Sequence, residues 1–417
     1  MLKKIYHRII PVLADLFYGH PGKKMIVVGV TGTKGKSTTC RLIASVLEAG
    51  GYKVGLLSTV EFQIGDKRWL NDKKMSMLGK GQIQKMMKQM VEAGCQYAVI
   101  ETSSEGILQN RHLGVHYDMA VFTNLGTEHS ERHGGFENLK KAKGQLFADL
   151  KKHPNKILNG IKVDKVIVTN ADDEHAPYFA NFLADKKFHY GIKGKKIVSS
   201  ATGTDFEALN RTFHLNILGE FNVPNALAAI AVGKSQGISD DKIAFGLAQV
   251  KVVEGRMEFI EEGQNFKVIV DYAHEPLSLT ALFKTLRNLV GRDNKVIGVV
   301  GSDGGGRDIQ KRGKMGEIAG GLCDFVVITD VNCFDEDPRE IAEMLAKGAR
   351  VAGKKDNVNL FIETDRRAGI KKAIQLAKPG DVVVITAKGT ENVLCVAGGK
   401  KLPWDDREVA RELIKEL

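Results

Sequence analysis

The residues with the clearest chemical potential form one short run, Gly32-Thr33-Lys34-Gly35-Lys36-Ser37-Thr38. An apolar, β-branched stretch precedes it and a helical pattern follows, to about Ala49. A strand, a glycine turn and a helix N-terminus in that order make a phosphate cradle. The glycines let the backbone approach an anion closely, and the first helical turn presents N–H groups and the positive end of the dipole. Lys36 adds a mobile cation, and Ser37 is placed to ligate Mg2+. The usual P-loop has its first glycine where Val30 stands, so this is a shortened variant.

A second set of ligating residues lies downstream. Glu101 ends an apolar run just before Thr102-Ser103-Ser104, where a carboxylate would face the phosphates and hold Mg2+. Taken alone, it reads equally as a helix-capping or a surface carboxylate. The loop after residues 119–123 carries Asn124, Glu128, His129 and His133. Its two histidines lack the HExxH order and any cysteine partner, which favours an oxygen-rich Mg2+ site with His129 near it over zinc.

The elements that must position these residues alternate. Strand patterns at 25–30, 53–58, 97–102, 119–123 and 166–169 are interleaved with helical patterns to 49 and at 82–93, 136–150 and 174–183. That alternation predicts a doubly wound, mainly parallel sheet whose loops at the strand C-terminal ends converge. Residues 188–218 read as short antiparallel strands, and 222–236 and 240–250 as helices. Around 252–256 a second series restarts, with strands at 266–271, 296–300, 325–329, 359–363 and 382–386 and helices at 277–289, 311–322, 338–351, 366–376 and 406–416. It is long enough to bury its own core.

With 417 residues, 43% hydrophobic and 27% charged, the chain has the composition of a soluble protein of more than one domain. Its net charge of +11 suits acidic partners such as nucleotides, phosphorylated sugars or nucleic acid, and reads equally as a basic solvated surface, because the charges are spread along the chain. The five cysteines contain no CxxC pair, so neither a disulfide framework nor a zinc site is indicated and a cytoplasmic location is expected. No apolar run reaches the ~18 residues of a membrane span. The first 24 residues mix basic and apolar side chains, but Asp15 interrupts the apolar run and no small-residue cleavage site follows, so they read as a short helical leader packing on the body.

The motifs together resemble the Mur ligases. TGTxGK[ST]T, Glu101-Thr102-Ser103-Ser104 and the Thr123–Gly134 segment are similar to elements of that family, with Glu128 and Ser130 in place of its Asp and Leu. Further matches follow in the family's order: Asn170-Ala171-Asp172-Asp173, Gly219–Asn225, Gly255-Arg256-Met257-Glu258, Asp271-Tyr272-Ala273-His274, Asp365-Arg366-Arg367 and Lys388-Gly389-x-Glu391. The resemblance implies a P-loop central ATP-binding domain over 25–251 and a smaller Rossmann-like C-terminal domain over 252–417. It places a carbamoylated lysine at Lys143, which would turn an ammonium into a carboxylate-like Mg2+ ligand. From the residues alone, Lys143 is one more exposed lysine beside Lys140 and Lys141. The resemblance implies Lys36, Glu101, His129 and Lys143 as catalytic residues, with Ser37, Glu101, His129 and Lys143 on the metal. ATP would contact Gly32 to Thr38, Asn124, Asn222, Asn225, Arg256 and Asp271. Ser103, Ser104, Arg111, His274, Arg307, Asn332, Lys388 and Glu391 would meet the substrates.

The detailed pattern points to MurE-type members, which add the third residue of the peptidoglycan stem peptide. The 24 residues before the P-loop cannot build the separate uridine-nucleotide domain of those enzymes. Where diaminopimelate-adding members have D-N-P-R, this chain has Val331-Asn332-Cys333-Phe334, so the arginine that would clamp a distal carboxylate is absent. Asp335-Glu336-Asp337 follow and would suit an ammonium, or else cap the helix from Pro338. The expected activity is ATP-dependent joining of a carboxylate and an amine through an acyl phosphate. ATP, Mg2+, an amino acid and a UDP-MurNAc-peptide-like acceptor are the partners, and the enzyme is expected to be a monomer that binds no nucleic acid and has no stable membrane span, with contact of the leader with a membrane surface as the lesser reading. Alternatives are a folylpolyglutamate-synthase-like ligase, a MurT-like amidating subunit without its zinc insert, and a nucleic-acid-binding P-loop NTPase, for which no aromatic-and-basic motif is present.

Overall fold

The β-branched run ahead of the glycine turn forms strand β1 (Ile26–Thr31), buried from Val27 onward, as a strand must be when helices cover both faces of a parallel sheet. The structure is a computed structural model that describes residues 2–73, 75–79, 81–126, 133–193, 196–200, 202–291, 293–306 and 309–417, side chains from residue 7. The chain divides into two compact units, Met1–Lys251 and Val252–Leu417.

The first unit opens with α1 (Leu2–Phe17), β1 and α2 (Lys36–Ala49), followed by β2 (Val54–Leu57), β3 (Glu61–Ile64), β4 (Lys67–Leu70), α3 (Gln82–Glu92), β5 (Tyr97–Glu101), α4 (Ser104–Leu108), β6 (Met119–Phe122) and α5 (Phe136–Asp149). It continues through the hairpin β7 (Ile157–Leu158) and β8 (Ile161–Lys162), then β9 (Val166–Asn170), α6 (Ala176–Ala180) and β10 (Lys186–Tyr190). The last elements are β11 (Ile197–Ser200), β12 (Gly203–Ala208), β13 (Arg211–Leu215), α7 (Asn222–Ser235) and α8 (Asp240–Gln249). Its main sheet has eight strands in the order β10-β9-β6-β1-β5-β2-β3-β4, parallel from β10 to β2. Register sets Val30 beside Glu101 and Thr31 beside Phe122, so β1, β5 and β6 end together and their loops share one edge. Behind that edge Phe122 stacks on Phe179 at 3.9 Å, and Phe147 of α5 joins them in the core.

The opposite edge is held by one carboxylate. Asp118 is fully buried; its Oδ2 accepts the Val27 N–H at 2.9 Å and a bond from Lys156, and its Oδ1 accepts Lys165 Nζ at 2.8 Å. Burial pushes the Lys156 ammonium down to about 8, with Asp118 pulling the other way. Three segments are thus tied at the start of β1, β6 and β9. The leader helix α1 turns Pro11 and Asp15 inward and leaves Ile9, Val12, Leu13, Leu16 and Phe17 exposed. Among the described residues no helix is long and apolar enough to cross a membrane.

The second unit contains β14 (Glu258–Ile260), β15 (Lys267–Val270), α9 (Pro276–Val290), β16 (Val296–Val300), α10 (Ile309–Leu322), β17 (Phe325–Ile328), α11 (Pro338–Val351), β18 (Leu360–Ile362), α12 (Arg366–Leu376) and β19 (Val382–Ile385). The hairpin β20 (Val393–Val396) and β21 (Lys400–Pro403) and the helix α13 (Asp406–Lys415) complete it. Its sheet order is β14-β15-β19-β16-β17-β18, parallel except for β14. Helices α10 and α11 touch through their backbones: a Cβ on Gly316 would lie 1.8 Å from the Leu345 carbonyl oxygen, and one on Gly348 1.9 Å from that of Gly313. Arg366 makes two 2.7 Å bonds to Asp406, both residues fully buried.

The two parallel α/β sheets are those expected from the alternation. Two local expectations differ. The helix expected over 174–183 is only Ala176–Ala180, because Asp173 accepts the His175 N–H and holds the preceding residues in a turn, with Pro177 entering the helix after it. Residues 188–190 belong to β10, parallel to β9, and the antiparallel sheet is confined to β11, β12 and β13.

Removing the Asp118 charge leaves two ammonium groups without their anion. Asp118→Asn is expected to destabilise the first unit by ~3–5 kcal/mol, read as a lower urea midpoint at unchanged m-value.

Candidate functional site

The turn between β1 and α2 is shaped by its neighbours. Gly35 has φ +78 at the N-cap of α2, and a Cβ there would lie 2.2 Å from Asn225 Oδ1; a Cβ on Gly32 would lie 1.9 Å from Thr123 Oγ1. No side chain fits at either place. The loop after β6 holds the turn from one side. Asn124 accepts the Lys34 N–H on Oδ1 at 2.8 Å and donates Nδ2 to the Lys34 carbonyl at 3.1 Å, and its own carbonyl accepts the Thr33 N–H at 2.8 Å. Thr123 Oγ1 donates to the same Lys34 carbonyl, and Thr33 Oγ1 accepts the Gly126 N–H, both at 2.8 Å. The first amides of α2, which helix geometry leaves without intrahelical acceptors, open onto this turn.

Four chemically active side chains, Lys36, Ser37, Glu101 and Lys143, gather on it. Lys36 Nζ folds back to the Thr33 carbonyl at 2.9 Å. Ser37 Oγ donates to Glu101 Oε2 at 2.8 Å, and Thr59 donates both its N–H and its hydroxyl to the same carboxylate, each at 2.8 Å. Lys143, 4% exposed, reaches from α5 to the Gly32 carbonyl at 2.8 Å. It is therefore no exposed surface lysine, which corrects the reading from the residues alone. Cys40 in α2 is no nucleophile, because burial first and the Glu101 charge second push its thiol well up.

Asn222 and Asn225 from α7 pack against the helix start. Asn225 Oδ1 accepts Thr39 Oγ1 at 3.1 Å, and Asn225 Nδ2 donates to Asn222 Oδ1 at 3.0 Å. Ser103 caps the five-residue α4, accepting the Gly106 N–H at 3.2 Å, and Ser104 opens that helix. Arg111 donates to the Met77 carbonyl and to Gln109, and burial lowers its pKa against the pull of Glu105. His129, like Glu128, lies outside the described residues, and so does Arg307.

In the second unit Asp271 ends β15 and accepts the Met257 and Ala273 N–H groups, each at 2.7 Å, which fixes the turn carrying Arg256. The Arg256 guanidinium lies 4.4 Å from the Tyr272 ring centre. His274 Nδ1 is 2.7 Å from the Tyr272 carbonyl, and Glu275 beside it pairs with Lys311 at 2.6 Å. Asn332, Lys388 and Glu391 form one network: Lys388 Nζ, fully buried, reaches Asn332 Oδ1 at 3.2 Å and Glu391 Oε2 at 3.1 Å, and Asn332 Nδ2 donates to Asp303 at 2.8 Å.

The acidic run that the sequence offered to an ammonium is engaged elsewhere. Asp335 accepts the Gly398 N–H at 2.9 Å, Glu336 pairs with the buried Arg312 at 2.9 Å, and Asp337 caps α11 through the Arg339 N–H at 2.7 Å. Sequence reasoning also missed Thr59, and gave no role to Asp173 of the Asn170-Ala171-Asp172-Asp173 motif, which holds the Asn124 loop by accepting the Leu125 N–H at 2.8 Å. The available signal was position, since each follows a strand of the parallel sheet.

A family model for the Mur ligase middle domain matches residues 30–233, and one for the Mur ligase glutamate ligase domain matches residues 255–389. The chain is 40% identical over 419 residues to a UDP-N-acetylmuramyl-tripeptide synthetase of Roseiflexus sp. (strain RS-1), covering 97% of this chain and 81% of that protein. It is 37% identical over 422 residues to a UDP-N-acetylmuramoyl-L-alanyl-D-glutamate--2,6-diaminopimelate ligase of Geobacillus kaustophilus (strain HTA426), covering 98% and 83%. A solved structure of a ligase with the latter name superposes with a TM-score of 0.62 at 29% identity, covering 94% of this chain and 79% of that one.

Lys36→Ala is expected to keep the fold and to slow phosphate release from ATP by ~10²-fold or more; near-normal turnover in a folded variant would remove Lys36 from the chemistry. If Lys143 works as a carboxylate-like ligand after carbamoylation, formate or acetate should partly restore Lys143→Ala. Restoration by a small amine instead would show that it works as the cation that now donates to Gly32.

Proposed function

Because this chain belongs to the Mur ligase family of ATP-dependent ligases, we propose that it joins an amino acid to the peptide of a UDP-N-acetylmuramoyl-peptide, in the cytoplasm. The observation that carries this reading is the Ser37 hydroxyl held on the Glu101 carboxylate at 2.8 Å, at a glycine turn flanked by Lys36 and Lys143. In this reading a carboxylate oxygen of the acceptor attacks the γ-phosphorus of ATP as the bond to ADP breaks, giving an acyl phosphate. The amino acid's nitrogen then attacks the acyl carbon, loses a proton and expels inorganic phosphate. Lys36 and the α2 amides stabilise charge on the phosphoryl group as it transfers.

Ser37 and Glu101 offer the hard oxygen donors that Mg2+ prefers, and a Mg2+ bound there would add positive charge at the phosphates. Lys143, once carbamoylated, and His129 are the further ligands we assign. Asn222 and Asn225, lying against the start of α2, are assigned to the adenine. Thr59 positions Glu101, and Thr123 and Asn124 keep the turn open.

For the incoming amino acid, the Asn332, Lys388 and Glu391 network is the recognition element in the second unit. Val331-Asn332-Cys333-Phe334 brings no arginine, and the acidic residues after it are already bonded to the fold. A second carboxylate would be buried there without its fork of donors. The expected outcome is that alanine or lysine exceeds meso-diaminopimelate in kcat/KM by ~10-fold or more, measured at one acceptor concentration. Preference for meso-diaminopimelate would overturn this reading of the loop and leave the ligase reading in place.

A further inference from the structure

Away from the phosphate turn, three ligating side chains from separate segments meet where the leader helix joins the body. Asp15 comes from the last turns of α1, His20 from the bend after it, and His116 from the segment before β6. Asp15 Oδ2 lies 2.7 Å from His20 Nδ1 and 2.9 Å from His116 Nε2, and one ligand atom from each residue falls within 4.8 Å of the other two. Asp15 is only 5% exposed, and its second oxygen, Oδ1, is buried with no hydrogen-bond partner among the described residues. A carboxylate this deep, with one oxygen crowded by two imidazoles and the other unanswered, is incomplete as a hydrogen-bonded cluster. The His20 side chain is 39% exposed, which gives an entry path and room for a water.

We propose that Asp15, His20 and His116 form a binding site for a divalent transition metal of the Zn2+, Co2+ or Ni2+ class. Two imidazole nitrogens and one carboxylate suit these ions, whereas Mg2+ and Ca2+ prefer donor sets dominated by oxygen. Metal bonds of ~2.0–2.2 Å need the ligand atoms to separate by roughly half an ångström from their present contacts, which the exposed His20 ring can supply. Water from the solvent side fills the fourth position. A bound ion joins the end of α1 and its following bend to the segment leading into β6, so it works as a staple between the leader and the sheet. It is separate from the Ser37 and Glu101 oxygens in both place and donor type.

The test uses the full chain freed of metal. Co2+ is expected to give a visible d–d band that saturates at one equivalent and disappears on adding Zn2+. Zn2+ should raise Tm by roughly 5 °C or more at saturation, while any Mg2+ shift at the same concentration is the same in wild type and His20→Asn. His20 and His116 both have positive φ, +51 and +57, a conformation that asparagine tolerates, so His20→Asn and His116→Asn are the variants to make. Both should lose the band and the Zn2+ shift, with ATP turnover unchanged in His20→Asn. Should His116→Asn fail to fold, the partly exposed His20 decides alone. A Co2+ band of equal size in wild type and His20→Asn, or no band in wild type, overturns the proposal.

Discussion

The glycine turn between β1 and α2 cannot hold its own shape, because its glycines carry no side chain to brace it. The bracing comes from the adjacent strand. Asn124 pairs with the Lys34 peptide as donor and acceptor at once, and Thr123 adds a third bond. That loop is held in turn from the next strand along, by Asn170 on the Thr123 carbonyl and Asp173 on the Leu125 amide, each at 2.8 Å. The order β9-β6-β1 in the sheet is therefore also the order of support, and the active geometry depends on parallel neighbours ending at the same level.

Glu101 follows the same logic on the other side of β1. A buried carboxylate needs partners, and it has three donors, from Ser37 and Thr59. The donors come from the first turn of α2, which follows β1, and from the loop after β2, and β1 and β2 are the strands that flank β5. A charge that would be costly in isolation becomes a fixed, hydrogen-bonded anion beside the helix start to which we assign the phosphates.

The strand-turn-helix around Gly32 and both α/β series were legible because each rests on local periodicity. Lys143 was less so, although a signal existed: Leu139, Ala142, Leu146 and Phe147 are the buried stripe of α5, and position 143 lies inside it, four residues after Leu139 and four before Phe147. Reading that lysine by its charge hid the stripe. Asp118, and the meeting of His116 with Asp15 and His20, were not legible, since these partners lie far along the chain and only strand order brings them together; Thr59 was marked only by its place after a strand. The acidic run at 335–337 misled for a related reason. Its partners, Gly398, Arg312 and the start of α11, include two that no local pattern connects to it.

The helix pair α10 and α11 in the second unit has a consequence for how this protein can diverge. Backbone meets backbone at Gly316 and Gly348, with no space for even a methyl group. Any descendant that keeps this helix contact must keep both glycines, whatever amino acid it comes to ligate. Invariance at those two positions would report the closeness of two helices and say nothing about chemistry, whereas drift at Asn332 or Glu391 is, on the role we propose for them, the trace of a changed substrate.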